Sequence, residues 1–133
     1  MTNFKFFMIT FKHSGNFNNT ESFFKRTKQI LARYRSLLER YGEEGVSALA
    51  AATPTESGIT ATSWDYKIST TKSSLKISWT NSNVKDGVPI AVIIQYGHGT
   101  GTGGYVQGRD YINPAMRPIF DRIIQDIWAE VTK

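Results

Sequence analysis

The chain has 133 residues, a length that suits one domain and leaves little room for a second. Hydrophobic residues make up 40% and charged residues 20%, which is ordinary globular composition and argues against extensive disorder. There is no cysteine, so disulfides and thiolate metal sites are excluded. No apolar stretch is long enough to predict a membrane-spanning helix, and the start of the chain lacks the apolar centre of a signal peptide.

Residues 1–19 are predicted to form an N-terminal strand or docking arm. Aromatic residues roughly alternate with other residues over positions 4–12, and a period of two is typical of a strand. Asn19 or Thr20 can cap a following helix. We therefore separate this segment from a single α+β domain over residues 20–133.

A helical period begins at Thr20. Apolar residues recur at spacings of three and four as far as Tyr41, which predicts an amphipathic helix of about six turns. The alanine-rich stretch 46–52 is predicted to continue it, and Pro54 to end it, because the residue before a proline avoids the helical region.

The positive charge of the chain is concentrated on this predicted helix. The whole chain has a net charge of +5. Six basic residues against two acidic residues between Thr20 and Tyr41 give this stretch a net charge of +4. Such a face can bind DNA or an acidic protein, or it can be a solvated helix surface.

Three strands are predicted next. Large apolar residues alternate with polar ones over 64–68 and again over 75–79, which predicts a hairpin. Residues 81–89 are predicted to form a loop that contains an Asp-Gly turn. The continuous apolar run 90–96 predicts a central strand, and residues 97–108 a glycine-rich loop.

Asn113 and Pro114 are predicted to open a last helix, since they place a capping residue and a proline at its first turn. The element order then predicts an α+β fold in which a long N-terminal amphipathic helix and a C-terminal helix pack on a small, mainly antiparallel sheet. Trp64, Trp79 and Trp128 are expected to be core or interface anchors.

No pattern predicts catalysis. The segment Gly99–Gly104 formally matches G-x-G-x-x-G, but no helix is predicted directly after it and the lysine of a phosphate-binding loop is missing. His13 and His98 have no carboxylate at ligand spacing, and no G-x-S-x-G is present. We therefore expect no catalytic residue, no cofactor and no bound metal, and the chain is predicted not to be an enzyme.

Three segments occur together in a recognisable order and spacing. They are Ala52–Gly58 (ATPTESG), Ile90–Thr100 (IAVIIQYGHGT) and Arg109–Ala115 (RDYINPA). As a set, covering about residues 20–133, they resemble the small neck proteins, or head–tail connector (head–tail joining) proteins, of long-tailed phages and prophages. The chain departs from the family pattern where Gln95 replaces an acid and where Tyr111-Ile112 replaces phenylalanine-leucine.

The resemblance implies a structural virion protein at the phage neck, where the DNA-filled head joins the tail. It implies a homo-oligomeric ring of six or twelve copies. The expected partners are adjacent neck, connector and tail-tube proteins and phage DNA in the channel, with no membrane. The expected location is the virion, and the host cytoplasm during assembly. A tail terminator or tail completion protein is the nearest alternative, and a small basic nucleic-acid-binding protein a more remote one.

The resemblance implies residues that contact neighbouring subunits of a ring, and it implies no active site. The candidate interface residues are Phe4, Phe6, Phe7, Tyr96, His98, Thr100, Tyr105, Arg109 and Tyr111. As a hypothesis, the N-terminal arm and the glycine-rich loop become ordered when the ring assembles. A second hypothesis places Lys25, Lys28 and Arg33 of the long helix at the DNA channel.

Overall fold

A computed structural model of the chain describes residues 4–12, 20–54, 58–71 and 74–131. Within these ranges only the backbone is described for residues 4–12, 20–28, 30, 31, 130 and 131. The elements are β1 (Phe4–Lys12), α1 (Thr20–Ala52), α2 (Gly58–Ala61), β2 (Trp64–Thr70), β3 (Ser74–Asn81), β4 (Val84–Lys85), β5 (Val88–Pro89), α3 (Ile90–Tyr96), β6 (Gly97–Gly99), β7 (Tyr105–Gln107) and α4 (Ile112–Val131). Helices that pack on a small antiparallel sheet confirm the predicted α+β class.

The predicted hairpin is confirmed as β2 and β3. The strands are antiparallel, with Ile68 opposite Ile77 and Tyr66 opposite Trp79. Burial alternates along β2: Trp64 is buried, whereas Asp65 and Lys67, whose side chains point to the opposite face of the sheet, are exposed. β3 is the central strand of a three-stranded sheet with the order β1-β3-β2, so it is buried more continuously than β2.

The third strand of this sheet is β1. Residues 90–96, which were predicted to form a central strand, do not belong to the sheet, so that prediction is wrong. β1 pairs antiparallel with β3, from Phe11 opposite Leu75 to Phe4 opposite Asn81. Residues 90–96 instead form α3, because a short apolar run suits a buried helix as well as a strand. The two buried residues of α3 are Ala91 and Gln95, four positions apart as on one face of a helix.

The predicted loop 81–89 contains a second, very short hairpin. β4 and β5 pair with Lys85 opposite Val88. Asp86 and Gly87 form the turn between them with φ values of 51° and 75°. Two positive φ values suit the right-handed twist of a two-residue hairpin, and Asp-Gly tolerates them well.

Trp79 lies at the centre of the core, between the sheet and the two longer helices. Its indole is fully buried, and its Nε1 donates a hydrogen bond to the Gly42 carbonyl of α1 at 3.1 Å. Its ring centroid lies 5.8 Å from that of Phe120 on α4. Gly45 allows this packing, because a Cβ there would overlap the indole. The other large, fully buried apolar side chains are Leu38, Leu49, Leu75, Ile77, Met116 and Ile123.

α1 and α4 are joined by polar contacts around Tyr41. The Tyr41 hydroxyl donates to the Asp126 carboxylate, and the guanidinium groups of Arg40 and Arg122 lie 5.0 Å and 5.5 Å from the centre of its ring. Arg122 also pairs with Glu44 at 3.1 Å. Because these side chains are partly exposed, each ion pair adds little stability. Their order shows that the two helices are antiparallel, since Tyr41 contacts Asp126 and Glu44 contacts Arg122.

Substitution of Gly45 by alanine is expected to destabilise the fold by about 1–3 kcal/mol, because the new methyl group must displace the Trp79 indole. Helix propensity alone would make the alanine variant more stable by roughly 0.5–1 kcal/mol. A loss of stability therefore indicates the clash with the indole, and a gain indicates helix propensity. Urea denaturation gives the free energy of unfolding. Gly58→Ala is the matched control, since nothing lies within 4 Å of a Cβ there. A Gly45→Ala protein as stable as the parent would contradict this packing.

Candidate functional site

The glycine-rich segment 97–108 forms an ordered hairpin, which the prediction of a loop did not include. β6 and β7 pair with Gly97 opposite Gln107 and Gly99 opposite Tyr105. At the tip, the Thr100 amide donates to the Gly104 carbonyl at 3.0 Å and the Gly104 amide to the Thr100 hydroxyl at 3.1 Å. The backbone therefore has partners within its own chain, which favours a hairpin that is formed before assembly.

The buried side chain of Gln95 joins the base of this hairpin to α4. Its Oε1 accepts hydrogen bonds from the amides of Tyr111 and Ile112 at 3.1 Å and 3.0 Å. These amides lie at the start of α4, where the helix itself offers no acceptor. Its Nε2 donates to Asp110 Oδ1 at 2.7 Å. A side chain from α3 thus caps α4 and holds the two ends of the intervening hairpin together.

Close backbone packing gives the hairpin a fixed direction. A Cβ at Gly108 would overlap the backbone of Gln95 and Tyr96, so only glycine allows the returning strand to pass this close to α3. The next residue, Arg109, donates its amide to the Ile94 carbonyl at 2.8 Å. Gly97, which ends α3, has a φ of 83°, a value at which glycine is not strained.

Tyr111 was predicted to lie at an interface, but the structure buries it. Its side chain is 5% exposed, and its hydroxyl donates to the Ala91 carbonyl of α3 at 3.0 Å. Burial raises the pKa of Tyr111 to about 12, because the phenolate would be poorly solvated there. The residue supports the hairpin base and presents no ring at the surface of the subunit.

Three apolar side chains at the end of α3 and on β7 are exposed to solvent. We call Tyr96 and Tyr105 the hairpin patch, because Val106 follows Tyr105 in the strand and faces the opposite side of the hairpin. Tyr96 is 68% exposed, Tyr105 is 66% and Val106 is 47%. The Tyr105 hydroxyl donates to the Tyr96 carbonyl at 2.9 Å, so the two residues are neighbours. Aromatic side chains held on a rigid, exposed element are typical of protein interfaces.

The other predicted interface residues fall into two groups. His98, Thr100 and Arg109 lie in the hairpin or at its base, with Thr100 and Arg109 exposed and His98 half-buried. The imidazole Nδ1 of His98 is buried and makes no hydrogen bond to the described part of the chain. The remaining three, Phe4, Phe6 and Phe7, belong to β1, where only the backbone is described.

The candidate DNA-contacting residues all lie on α1. The side chains of Lys25 and Lys28 are outside the described residues, and Arg33 is exposed. Two further basic residues of the helix contact acids within the chain: Arg35 lies 3.3 Å from Glu39, and Arg40 lies 3.5 Å from Asp126. Part of the positive charge of α1 is therefore balanced locally.

A second exposed apolar surface includes Trp128, which was expected to be a core or interface anchor, and Ile124, which the helical pattern placed among the apolar positions of α4. Ile124 is 60% exposed and Trp128 is 68% exposed, and they lie four positions apart on α4; we call them the helix patch. Their apolar character alone suggests core positions. The apolar face of α4 is wider than the core needs, because Ile119 and Ile123 are already buried against it. This excess width is the sequence feature that could have indicated an exposed apolar surface.

Replacement of Tyr111 by phenylalanine is expected to change how stability depends on alkaline pH. The folded protein holds the phenol proton up to about pH 12, whereas the ordinary pKa is 10.0. Unfolding therefore releases a proton in this window, and stability falls as pH rises from about 10 towards 12. Below that window the phenol is neutral in both states and contributes no pH dependence.

The measurement is the free energy of unfolding at a series of pH values for both proteins. The phenylalanine variant is expected to lose less stability between about pH 10 and pH 12 than the parent. Burial also raises the pKa of Tyr41 and Tyr66, and these residues titrate alike in the two proteins. Parallel curves would show that Tyr111 is not buried as described.

In the described ranges, no group of three or more His, Cys, Asp or Glu residues is placed to hold a metal ion. None of the helices in those ranges is long and apolar enough to cross a membrane. Comparisons of the chain with protein-family models, with curated proteins and with solved structures gave no match.

Proposed function

We propose that this chain is a structural protein of the neck of a long-tailed phage, where it joins the DNA-filled head to the tail as a subunit of a homo-oligomeric ring. The observation that carries the proposal is the anchored hairpin with its exposed apolar patch. A preformed element loses little conformational entropy on binding, so exposed aromatic side chains on it are well suited to contact another protein.

The segments that carry the family resemblance also support this function. Residues 90–100 and 109–115 meet in space, because Gln95 binds the amides of Tyr111 and Ile112. Both segments therefore serve to hold the hairpin. Gln95 stands where the family has an acid, and its amide oxygen offers these two amides the acceptor that a carboxylate would offer.

The polar groups at the hairpin base are used structurally, which favours binding over catalysis. Gln95 caps α4, and Asp110 accepts hydrogen bonds from Gln95 and from Asn113, the latter at 3.1 Å. The Tyr111 hydroxyl is bound to a backbone carbonyl. These hydrogen bonds restrain the hairpin, and the hairpin presents the proposed contact surface.

Two other functions remain as alternatives. A tail terminator or tail completion protein would use the same kind of ring contact at the end of the tail. A small basic nucleic-acid-binding protein is favoured by the net charge of +5, and salt-dependent DNA binding by the purified chain would support it. The local pairing of Arg35 and Arg40 with acids weakens that alternative.

Deletion of the gene from the phage that encodes it is expected to give filled heads lying apart from finished tails. Electron microscopy of the lysate is the measurement. Addition of the purified chain to that lysate should restore infectious particles. Normal virions from the deletion would rule out the neck function, whereas tails of abnormal length would support the terminator alternative.

Joint replacement of Lys25, Lys28 and Arg33 by glutamine is expected to weaken the retention of packaged DNA, if α1 faces the channel. The reason is the loss of three positive charges that can neutralise phosphates. Nuclease sensitivity of the packaged genome measures the effect. Glutamine at Lys67 and Lys76 of the sheet is the control. Equal retention by the triple variant and the parent would show that α1 does not contact the DNA.

A further inference from the structure

The hairpin of β6 and β7 is joined to the rest of the subunit at its base and contributes no side chain to the core. No side chain between Gly97 and Gly108, a range that the structure describes throughout, is buried. The strand pairing and the hydrogen bonds of the tip lie within the hairpin itself. Because the hairpin has no apolar anchor of its own, its direction depends on the polar contacts at its base.

Gln95 supplies the central contact of that base, and its side chain is 7% exposed. Backbone amides only donate, so the side-chain oxygen must face the amides of Tyr111 and Ile112. The NH2 group then faces the Asp110 carboxylate, with 2.7 Å between Nε2 and Oδ1. Since an ionised carboxylate only accepts, each half of the amide meets the group that it requires.

A carboxylate at position 95 would satisfy only one side of this arrangement. It could accept from both backbone amides, but in its ionised form it would have no hydrogen to donate to Asp110. Two carboxylates would then face each other across a hydrogen-bond distance, at a place where residue 95 is buried, and like charges so placed repel each other. The acid at position 110 therefore requires the amide at position 95.

We propose that Gln95 and Asp110 form a matched pair of positioning residues, which holds the hairpin, and with it the hairpin patch, in one orientation relative to α4. The pairing is a property of the free chain. Its effect on assembly rests on the proposed function, because the pair positions the surface through which the subunit is proposed to bind its neighbours.

Loss of the pair is expected to open the hairpin base without unfolding the core. The largest fully buried apolar side chains lie on α1, β3 and α4, in the layer around Trp79. The bond from the Tyr111 hydroxyl to the Ala91 carbonyl does not involve either member of the pair. Parts of one domain can open with different free energies, so we expect the loosening to be confined to the hairpin and the first turn of α4.

Hydrogen exchange of the purified chain at neutral pH tests the pair. Gln95→Glu is expected to speed exchange of the Tyr111 and Ile112 amides about tenfold, because repulsion replaces a hydrogen bond to a charged group. The amides of β3 should exchange as in the parent. Gln107→Glu is the matched control, since it makes the same chemical change at an exposed residue of β7, and it should leave all of these amides unchanged.

A second substitution distinguishes a matched pair from a merely structural role of residue 95. In Gln95→Glu/Asp110→Asn the amide and the carboxylate have exchanged positions, so a donor again faces an acceptor and the two backbone amides keep theirs. Protection of the Tyr111 and Ile112 amides should return to within about twofold of the parent. Gln95→Met/Asp110→Asn has no acceptor at position 95 and should not recover.

The pair is overturned if Gln95→Glu exchanges like the parent, if the control exchanges like Gln95→Glu, if the loss of protection extends to β3, or if the exchanged pair does not recover. Assembly is judged separately, by adding each variant to the deletion lysate. Gln95→Glu should restore fewer infectious particles than the parent, and Gln95→Glu/Asp110→Asn should restore as many.

The two proposals fail in different ways. Full restoration of particles by a Gln95→Glu chain whose base is loosened would retain the pair and exclude the hairpin patch as the contact surface. Normal virions from the deletion itself would exclude the neck function and leave the exchange result standing.

Discussion

The Trp79 indole packs against α1 and α4 together, and this packing positions both helices on the sheet. The indole nitrogen donates to the Gly42 carbonyl, and the missing side chain of Gly45 makes room for the ring. The same ring contacts Phe120, so the position of α4 follows from that of β3. Since the hairpin base is bonded to the first residues of α4, a contact in the core sets where the surface element stands.

Two layers of contacts support the hairpin that carries the proposed contact surface. The inner layer is apolar and places α4 on the sheet, while the outer layer is a hydrogen-bonded base around Gln95 and Tyr111. Exposed aromatic side chains then stand on backbone that is already restrained. Binding by such a surface depends on shape and burial more than on any reactive group, which agrees with the proposed role in an assembly.

Local periodicity predicted the class of fold and the β2–β3 hairpin, because the patterns there agree with burial. The predicted opening of α4 at Asn113 and Pro114 lies within one residue of its start, but Gln95, and not Asn113, caps the helix. Periodicity failed at residues 90–96, where a short apolar run fits a helix as well as a strand and a single sequence does not show which tertiary contacts it makes. The β6–β7 hairpin was missed because glycines carry no pattern. Tyr111 was misassigned and the exposure of Ile124 was not predicted, because which face of an element is covered depends on tertiary packing.

The choice of an amide at position 95 has a consequence for the environments that the protein can tolerate. A carboxylate in this position would lose acceptor strength on protonation, and the anchoring of the hairpin would then follow the acidity of the surroundings. The Gln95 carbonyl oxygen accepts from Tyr111 and Ile112 whatever the pH. The anchoring of the hairpin base by Gln95 is therefore independent of the acidity of the surroundings.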